Sequence, residues 1–400
     1  MKVLTKILFF FLIAVALYSD AVMKGQFLNV DYLNQVWTLK GGVSLTTTKY
    51  MLQTQQMIYF KKEKRFFANG GIFIELLEEN RKIWGESLEK RNEVQFFQGN
   101  PLRLVDKNGE REIKAQTLEV RGKEKNGKLM TFNQNVNILE KNSIIFADQV
   151  IYNEKTGDIQ LIGNSSIQKP EDKIKITGSN IDYNEKTKIS IFKNTPVAIE
   201  RKKSLIKGDK GQYDEQDDLI SLEGNVFFQE EKREIQAQKM HSEKNEDEKI
   251  FYFSEQITLK EGDFHGSCDA VEYFEKQDIV NLKGNVDLKD DKKDLYIESS
   301  VVSFDKKADM TYFLGEVYIK QKDKIITGSL GNYDKQKSII IVKGNPSYRK
   351  GKDFAKAEKI ILNTETNEVE MIGGFKGQFQ FNKEKDKETN QNGEKDGFKN

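Results

Sequence analysis

The sequence predicts an all-β chain, built as a solenoid-like stack of about eleven repeats of roughly 30 residues. Three observations carry that expectation. A glycine node recurs along almost the whole chain. Within each repeat the apolar residues alternate with period two. The composition offers little core and much charge: 37% hydrophobic and 32% charged, against 4 prolines in 400 residues.

The node is an alternating strand with Gly-Gly or Gly-Asn at its middle. It reads Trp37-Thr-Leu-Lys-Gly-Gly-Val-Ser-Leu45, then Leu219-Ile-Ser-Leu-Glu-Gly-Asn-Val-Phe-Phe228, then Val280-Asn-Leu-Lys-Gly-Asn-Val-Asp-Leu288. The leading glycines are Gly41, Gly70, Gly99, Gly163, Gly224, Gly284, Gly315, Gly344 and Gly373; Gln134, Asn194 and Ser254 fill the remaining places. Successive spacings are 29, 29, 35, 29, 31, 30, 30, 30, 31, 29 and 29. Glycine weakens a strand interior, so its recurrence there marks a bend or bulge.

A second element lies between nodes: apolar, gap, small, two gaps, apolar, gap, aromatic or apolar. Its clear copies are Ile145/Ala147/Val150/Tyr152, Ile176/Gly178/Ile181/Tyr183, Ile206/Gly208/Gly211/Tyr213 and Ile326/Gly328/Gly331/Tyr333. Parity is kept along the node: Val280, Leu282, Gly284, Val286 and Leu288 alternate with polar residues, as a half-buried strand requires. In the second element the step of three breaks parity, which predicts a bulge or corner. Polar turns such as Asn153–Gly157, Asn184–Thr187, Asp214–Asp217 and Asp334–Lys337 separate the strands. After residue 25 no long amphipathic helix is expected. A unit of two bent strands cannot bury its own face, but stacked units can.

The same composition excludes several function classes. Lys plus Arg is 64 and Asp plus Glu is 63, so the two signs cancel to within one charge, which argues against nucleic acid as the main partner. The 26 Phe and 14 Tyr argue against disorder. One Cys and two His leave no intramolecular disulfide, no cysteine-based zinc site and little general-base chemistry.

The chain begins with Lys2 and Lys6, an apolar run Ile7–Tyr18, and Ser19 and Ala21 ahead of a cleavage position, the layout of a secretory signal peptide. Its expected organisation is residues 1–21 as signal, 22–380 as repeats and 381–400 as a disordered charged tail. Two successive domains, with a break near 100–135 or 195, are an alternative organisation of the repeats. A retained inner-membrane anchor is the alternative reading of residues 1–21, although spanning needs about 20 apolar residues. Cleavage would leave 62 charges of each sign.

The Gly-Asn-Val node, the Ile-x-Gly/Ala-x-x-Ile-x-Tyr strand and the Asn-Glu-Lys-Thr turn resemble the OstA-like (LptA-type) lipopolysaccharide-transport family, over about residues 25–380. The resemblance implies an elongated antiparallel β-jellyroll, open along one side, that carries lipopolysaccharide acyl chains across the periplasm on its apolar inner face. It also implies partners: like-folded domains of inner- and outer-membrane transport components, joined by edge-strand addition, with head-to-tail self-association as a further arrangement. At this length the chain equals about two such domains in series. After residue 380 nothing could supply the strands of an outer-membrane barrel.

The candidate lipid lining is the inward parity of the nodes: Leu39, Val43, Ile72, Ile74, Leu161, Ile167, Leu222, Val226, Phe228, Leu282, Val286, Leu288, Phe313, Val317 and Ile319. Such a lining gives acyl chains about 25 cal/mol per Å² of apolar surface buried. Alternation alone does not separate a lipid groove from a closed core, so a structural or surface β-solenoid without lipid is the alternative function. No catalytic residue, metal ligand or cofactor is expected. Gly122–Lys128 has phosphate-loop spacing but is followed by Leu129 where Ser or Thr is required, and reads as a turn. Cys268, three residues after His265, occupies the repeat's small position and reads as a buried small residue. His241 reads as an exposed turn residue. The acidic pairs Asp217-Asp218, Asp290-Asp291 and Glu246-Asp247 read as solvated turn charge.

Overall fold

The computed structural model describes residues 22–106, 109–122, 127–193, 196–246 and 248–380. The expected signal segment and tail, node residue Asn194, Asp247, and residues 123–126 of the loop-like stretch lie outside the described residues. Every regular element described is a strand, thirty in all, and the strands pair antiparallel. The all-β expectation therefore holds. The chain divides into two compact units, Met1–Leu282 and Lys283–Asn400.

In the first unit, long strands that follow one another in sequence are sheet neighbours. Val36–Thr46 pairs with Tyr50–Phe60, which pairs with Arg65–Leu76, which pairs with Arg81–Arg91, and the meander continues in this way. Node strands alternate with return strands that carry the small residue. The long strands bend at their middle, and the registers show how. On Val36–Thr46, Lys40 faces Gln56 and Val43 faces Thr54. Two residues, Gly41 and Gly42, therefore oppose the single Gln55. On Ser143–Asn153, Ala147 faces Val136 and Gln149 faces Asn133, so Asp148 alone opposes Gln134 and Asn135. This is the parity break read from the sequence, and it is a corner shared by neighbouring strands.

The node turns because two successive residues adopt the left-handed conformation. At Gly70 and Gly71 the φ angles are 82° and 88°. Glycine takes these values without steric cost, and a Cβ on Gly70 would lie 2.8 Å from the Gln55 Cβ. Asn follows the glycine in other rungs and tolerates the same region: Asn225 has φ 45° and Asn285 has φ 43°. On the return strand the small residue sits inside the corner. A Cβ on Gly85 would meet the Gln98 carbonyl at 2.8 Å and Leu102 Cδ1 at 2.9 Å.

The predicted polar turns are closed by their first side chain. Asn153 Oδ1 accepts from the Lys155 N–H at 3.0 Å, and Asn184 Oδ1 from the Lys186 and Thr187 N–H groups at 2.9 Å. Asp214 Oδ1 accepts from Gln216 at 2.9 Å. In the second unit Asp334 Oδ1 does the same for Lys337 at 3.0 Å.

Bending at the described nodes folds the first unit's strands into two halves whose apolar faces meet. Phe228 lies after the Gly224 node, whereas Phe251 and Phe253 lie before the next one. Their ring centroids are 5.6 Å from that of Phe228, and that of Tyr273 is 5.7 Å away. Such aromatic packing, with rings tilted or edge-on, is the preferred geometry. Around Phe228 the interior is thus filled by the chain's own side chains.

Candidate functional site: an apolar interior behind a charged seam

All fifteen candidate lining residues are buried on the inward face. Leu39 through Leu282 belong to the first unit, and Val286, Leu288, Phe313, Val317 and Ile319 to the second.

On one side of this interior the chain itself closes the fold, at the corners. The opposite side has two rims of hairpins. Backbone bonds between hairpins run along a rim: Glu154 N–H donates to the Lys128 carbonyl, Glu185 to Gly157 and Glu215 to Lys188 on one, and Leu77 to Lys49 and Lys202 to Lys173 on the other. The rims meet each other through side chains. These form a seam that the sequence reading did not anticipate.

In the first unit the seam is ionic. Arg81 occupies the inward position two residues before Ile83. Its guanidinium pairs with Glu79 at 3.1 Å and Asp106 at 3.6 Å on its own rim, and with Glu154 at 3.0 Å on the other. Lys128, whose side chain is 3% exposed, crosses in the reverse direction to Glu79 at 2.8 Å. Arg111 pairs with Glu140 on its own rim and with Glu185 across the seam at 2.6 Å. Lys169 crosses to Glu215. Arg201 crosses to Asp218 and, at 3.2 Å, to Glu275. Arg233 pairs with Glu261 at 2.6 Å on its own rim, crosses to Asp278 at 3.0 Å, and lies 4.1 Å over the ring of Tyr273. The Tyr273 hydroxyl donates back across to Glu230 at 2.5 Å.

Burial opposes charge here, and the carboxylates outweigh it. Desolvation lowers the pKa of Arg111 and Arg233, but Glu140 and Glu185 for the first, and Glu261 and Asp278 for the second, hold it above the ordinary value. Lys249 shows the opposite balance. Burial first, then Arg201, push its pKa down to about 8 against the pull of Asp218, 3.2 Å away. Burial also pushes the Tyr152 hydroxyl up to about 12.

In the second unit several seam contacts run to neutral acceptors. Lys293 Nζ donates to the Tyr333 hydroxyl at 2.6 Å and to Thr364 Oγ1 at 3.4 Å. Gln321 Nε2 donates to the Thr364 carbonyl at 2.8 Å, and Lys324 Nζ to the Asn367 carbonyl at 2.5 Å.

Several sequence readings are corrected by these positions. Asp218 is not merely solvated turn charge: it pairs with Arg201 and Lys249. Asp290 ends a strand at 3% exposure and caps the following turn through Lys292 and Lys293 N–H. His241 is exposed but stands within the strand Arg233–Asn245, stacked on Tyr252 at 4.9 Å between centroids. Cys268 is buried on the return strand, with Sγ 3.4 Å from the Ala270 carbonyl. Among the described residues no group of His, Cys, Asp and Glu could hold a metal ion.

The model of the family described as LptA/(LptD N-terminal domain) LPS transport protein matches residues 23–189 and 205–295, more than half of the chain. The chain belongs to that family. No curated protein matches it. Among solved structures it is similar to LptH of Pseudomonas aeruginosa, described as the LptA-homologous periplasmic component of the lipopolysaccharide transport device. That similarity is 15% in identity and covers 29% of this chain and 94% of that one, with a TM-score of 0.27.

Proposed function

We propose that this chain is a periplasmic, non-catalytic carrier that moves lipopolysaccharide toward the outer membrane with the acyl chains against its inward face. One observation carries the reading: a protein of this family repeats the same apolar inner row, with little variation, along its rungs. A uniform row offers several acyl chains a large transfer free energy and no single deep site at which to stop. Because the interior is packed, the lipid enters by parting the two halves, and the seam is the side that can part. Buried ion pairs suit such an edge, since desolvation offsets much of their attraction, whereas well-packed apolar residues would close it more firmly.

Partners would be like-folded domains, or a second copy, added to the terminal edges. At the start of the first unit, Val22–Lys24 and Phe27–Asp31 form an edge with Phe27 and Leu28 exposed. In the second unit, Val369–Ile372 and Lys376–Gln378 form another with Ile372 and Phe375 exposed. Unpaired strand edges invite augmentation.

A second reading, a structural repeat protein with a closed core, is favoured by the packing of Phe228 against three other rings. Photo-crosslinking separates the two. A photoreactive residue in place of inward Phe228 or Val286 captures lipopolysaccharide if the chain is a carrier. Capture only from outward positions such as Phe227 or Asp287 contradicts the carrier.

A further inference from the structure

One stretch of the first unit's seam carries an excess of positive charge. A depression of about 520 Å³ opens there, lined by the basic residues Arg201, Lys202, Lys203, Lys244, Lys249 and Lys276 against four acidic ones. Arg201 is its most buried cation, with a side chain 5% exposed and an Nε that has no hydrogen-bond partner. Its ion pairs differ from those of the other seam arginines. Arg111 and Arg233 each hold a carboxylate on their own rim, Glu140 and Glu261. Among the described residues, both carboxylates of Arg201, Asp218 and Glu275, belong to the opposite rim. When the rims part, Asp218 keeps Lys249 as partner, while Arg201 loses both of the carboxylates it pairs with. A buried guanidinium without a partner is strongly unfavourable.

We propose that this depression is a binding station for the phosphate groups of the lipid's headgroup, with Arg201 as the central ligand and Asp218 and Glu275 holding its place until lipid arrives. The proposal rests on the transport reading. With acyl chains inside, the polar headgroup must stay at the mouth, since burying it unpaired is costly. A phosphate there restores to Arg201 the charge-assisted, bidentate hydrogen bonds lost with the carboxylates. The surrounding lysines add long-range attraction, and their flexible stems tolerate a passing ligand.

The test uses the mature full-length chain and three probes: lipopolysaccharide, the same lipid stripped of its phosphates, and inorganic phosphate. The native chain should prefer the phosphorylated lipid by about tenfold or more, as expected for a charged hydrogen-bonded pair. Arg201→Gln should abolish that preference, so that the variant binds the two lipids equally. Glu275→Gln should keep or strengthen it. The double variant Arg201→Gln/Glu275→Gln, which leaves no lone charge, repeats the first result if Arg201→Gln alone folds poorly. A preference that survives in either Arg201 variant overturns the station. So does equal binding of both lipids, or binding of inorganic phosphate without any preference between the lipids. If the native chain binds neither lipid, the transport reading itself falls.

Discussion

Arg201 and Glu275 are 74 residues apart in sequence and meet at 3.2 Å across the seam. The same separation recurs between Arg111 and Glu185, and it is 73 between Arg81 and Glu154. Arg233 and Asp278 are 45 apart. These values are about two and a half and one and a half repeats. The half-repeat arises because one rim carries the hairpins that follow node strands and the other those that follow return strands. The seam is therefore a consequence of the repeat: a charge at the inward position next to a rim hairpin finds crossing partners at half-repeat offsets along the chain, from 17 residues for Arg201 and Asp218 to 74 for Arg201 and Glu275.

The first prediction concerns Arg233. Replacing it with Ala leaves Glu261 and Asp278 facing each other without a cation, and should cost about 3–5 kcal/mol locally. Hydrogen exchange of the strands Arg233–Asn245 and Glu248–Glu261 measures this. The triple change Arg233→Leu/Glu261→Leu/Asp278→Leu should recover most of the protection, because of the carboxylates paired with Arg233 only Glu230 remains, held by the Tyr273 hydroxyl.

The corner makes a differential prediction. At Gly70 an Ala side chain meets both a left-handed backbone and the Gln55 Cβ at 2.8 Å; at Gly71 it meets only the backbone, with nothing within 4 Å. Gly71→Ala should cost about 1–2 kcal/mol, and Gly70→Ala clearly more. Equal losses in a denaturation series would argue against the close corner.

Phe228→Ala removes a ring packed on three others and should cost about 3–5 kcal/mol. The same substitution at outward Phe227 should cost much less. Local exchange rates around the Gly224 node report the difference.

Lys249 gives a pH signature. Its pKa is depressed from the ordinary lysine value to about 8, so below pH 8 the folded chain carries the full penalty of a buried charge. Between pH 8 and the unfolded value near 10.5 the unfolded chain binds the extra proton, and stability rises with pH. The difference between the native chain and Lys249→Met should therefore shift in favour of the native chain as pH rises from 8 to 10. A flat difference would contradict the depressed value.

How much of this was legible in the sequence follows from range. Corners, turns and strand parity are local: the Gly70-Gly71 pair, Asn153 at its turn and the alternation around Leu282 carry their own signals. Cys268 was placed correctly because its repeat position demands a small residue. The seam was not local. Most of its crossing pairs lie one and a half or two and a half repeats apart, and Asp218 meets Arg201 and Lys249 at 17 and 31 residues, so its charge reads locally as solvent-facing. One signal was nonetheless present. Arg111-x-Ile113-x-Ala115, Arg233-x-Ile235-x-Ala237 and Arg81-x-Ile83-x-Gly85 put a cation on the inward parity at the repeat period. A recurring inward charge is costly unless paired, and that cost points to partners across the mouth.

The central claim is that lipid reaches the interior through a seam that parts. In a Cys268→Ser background, Arg233→Cys and Asp278→Cys place two thiols on facing rims, and a short bismaleimide joins them. Lipopolysaccharide capture by a photoreactive residue at position 228 is then measured with the pair joined and with the pair blocked singly. The account predicts capture in the blocked sample and its loss in the joined one. Equal capture in both would contradict entry through the seam.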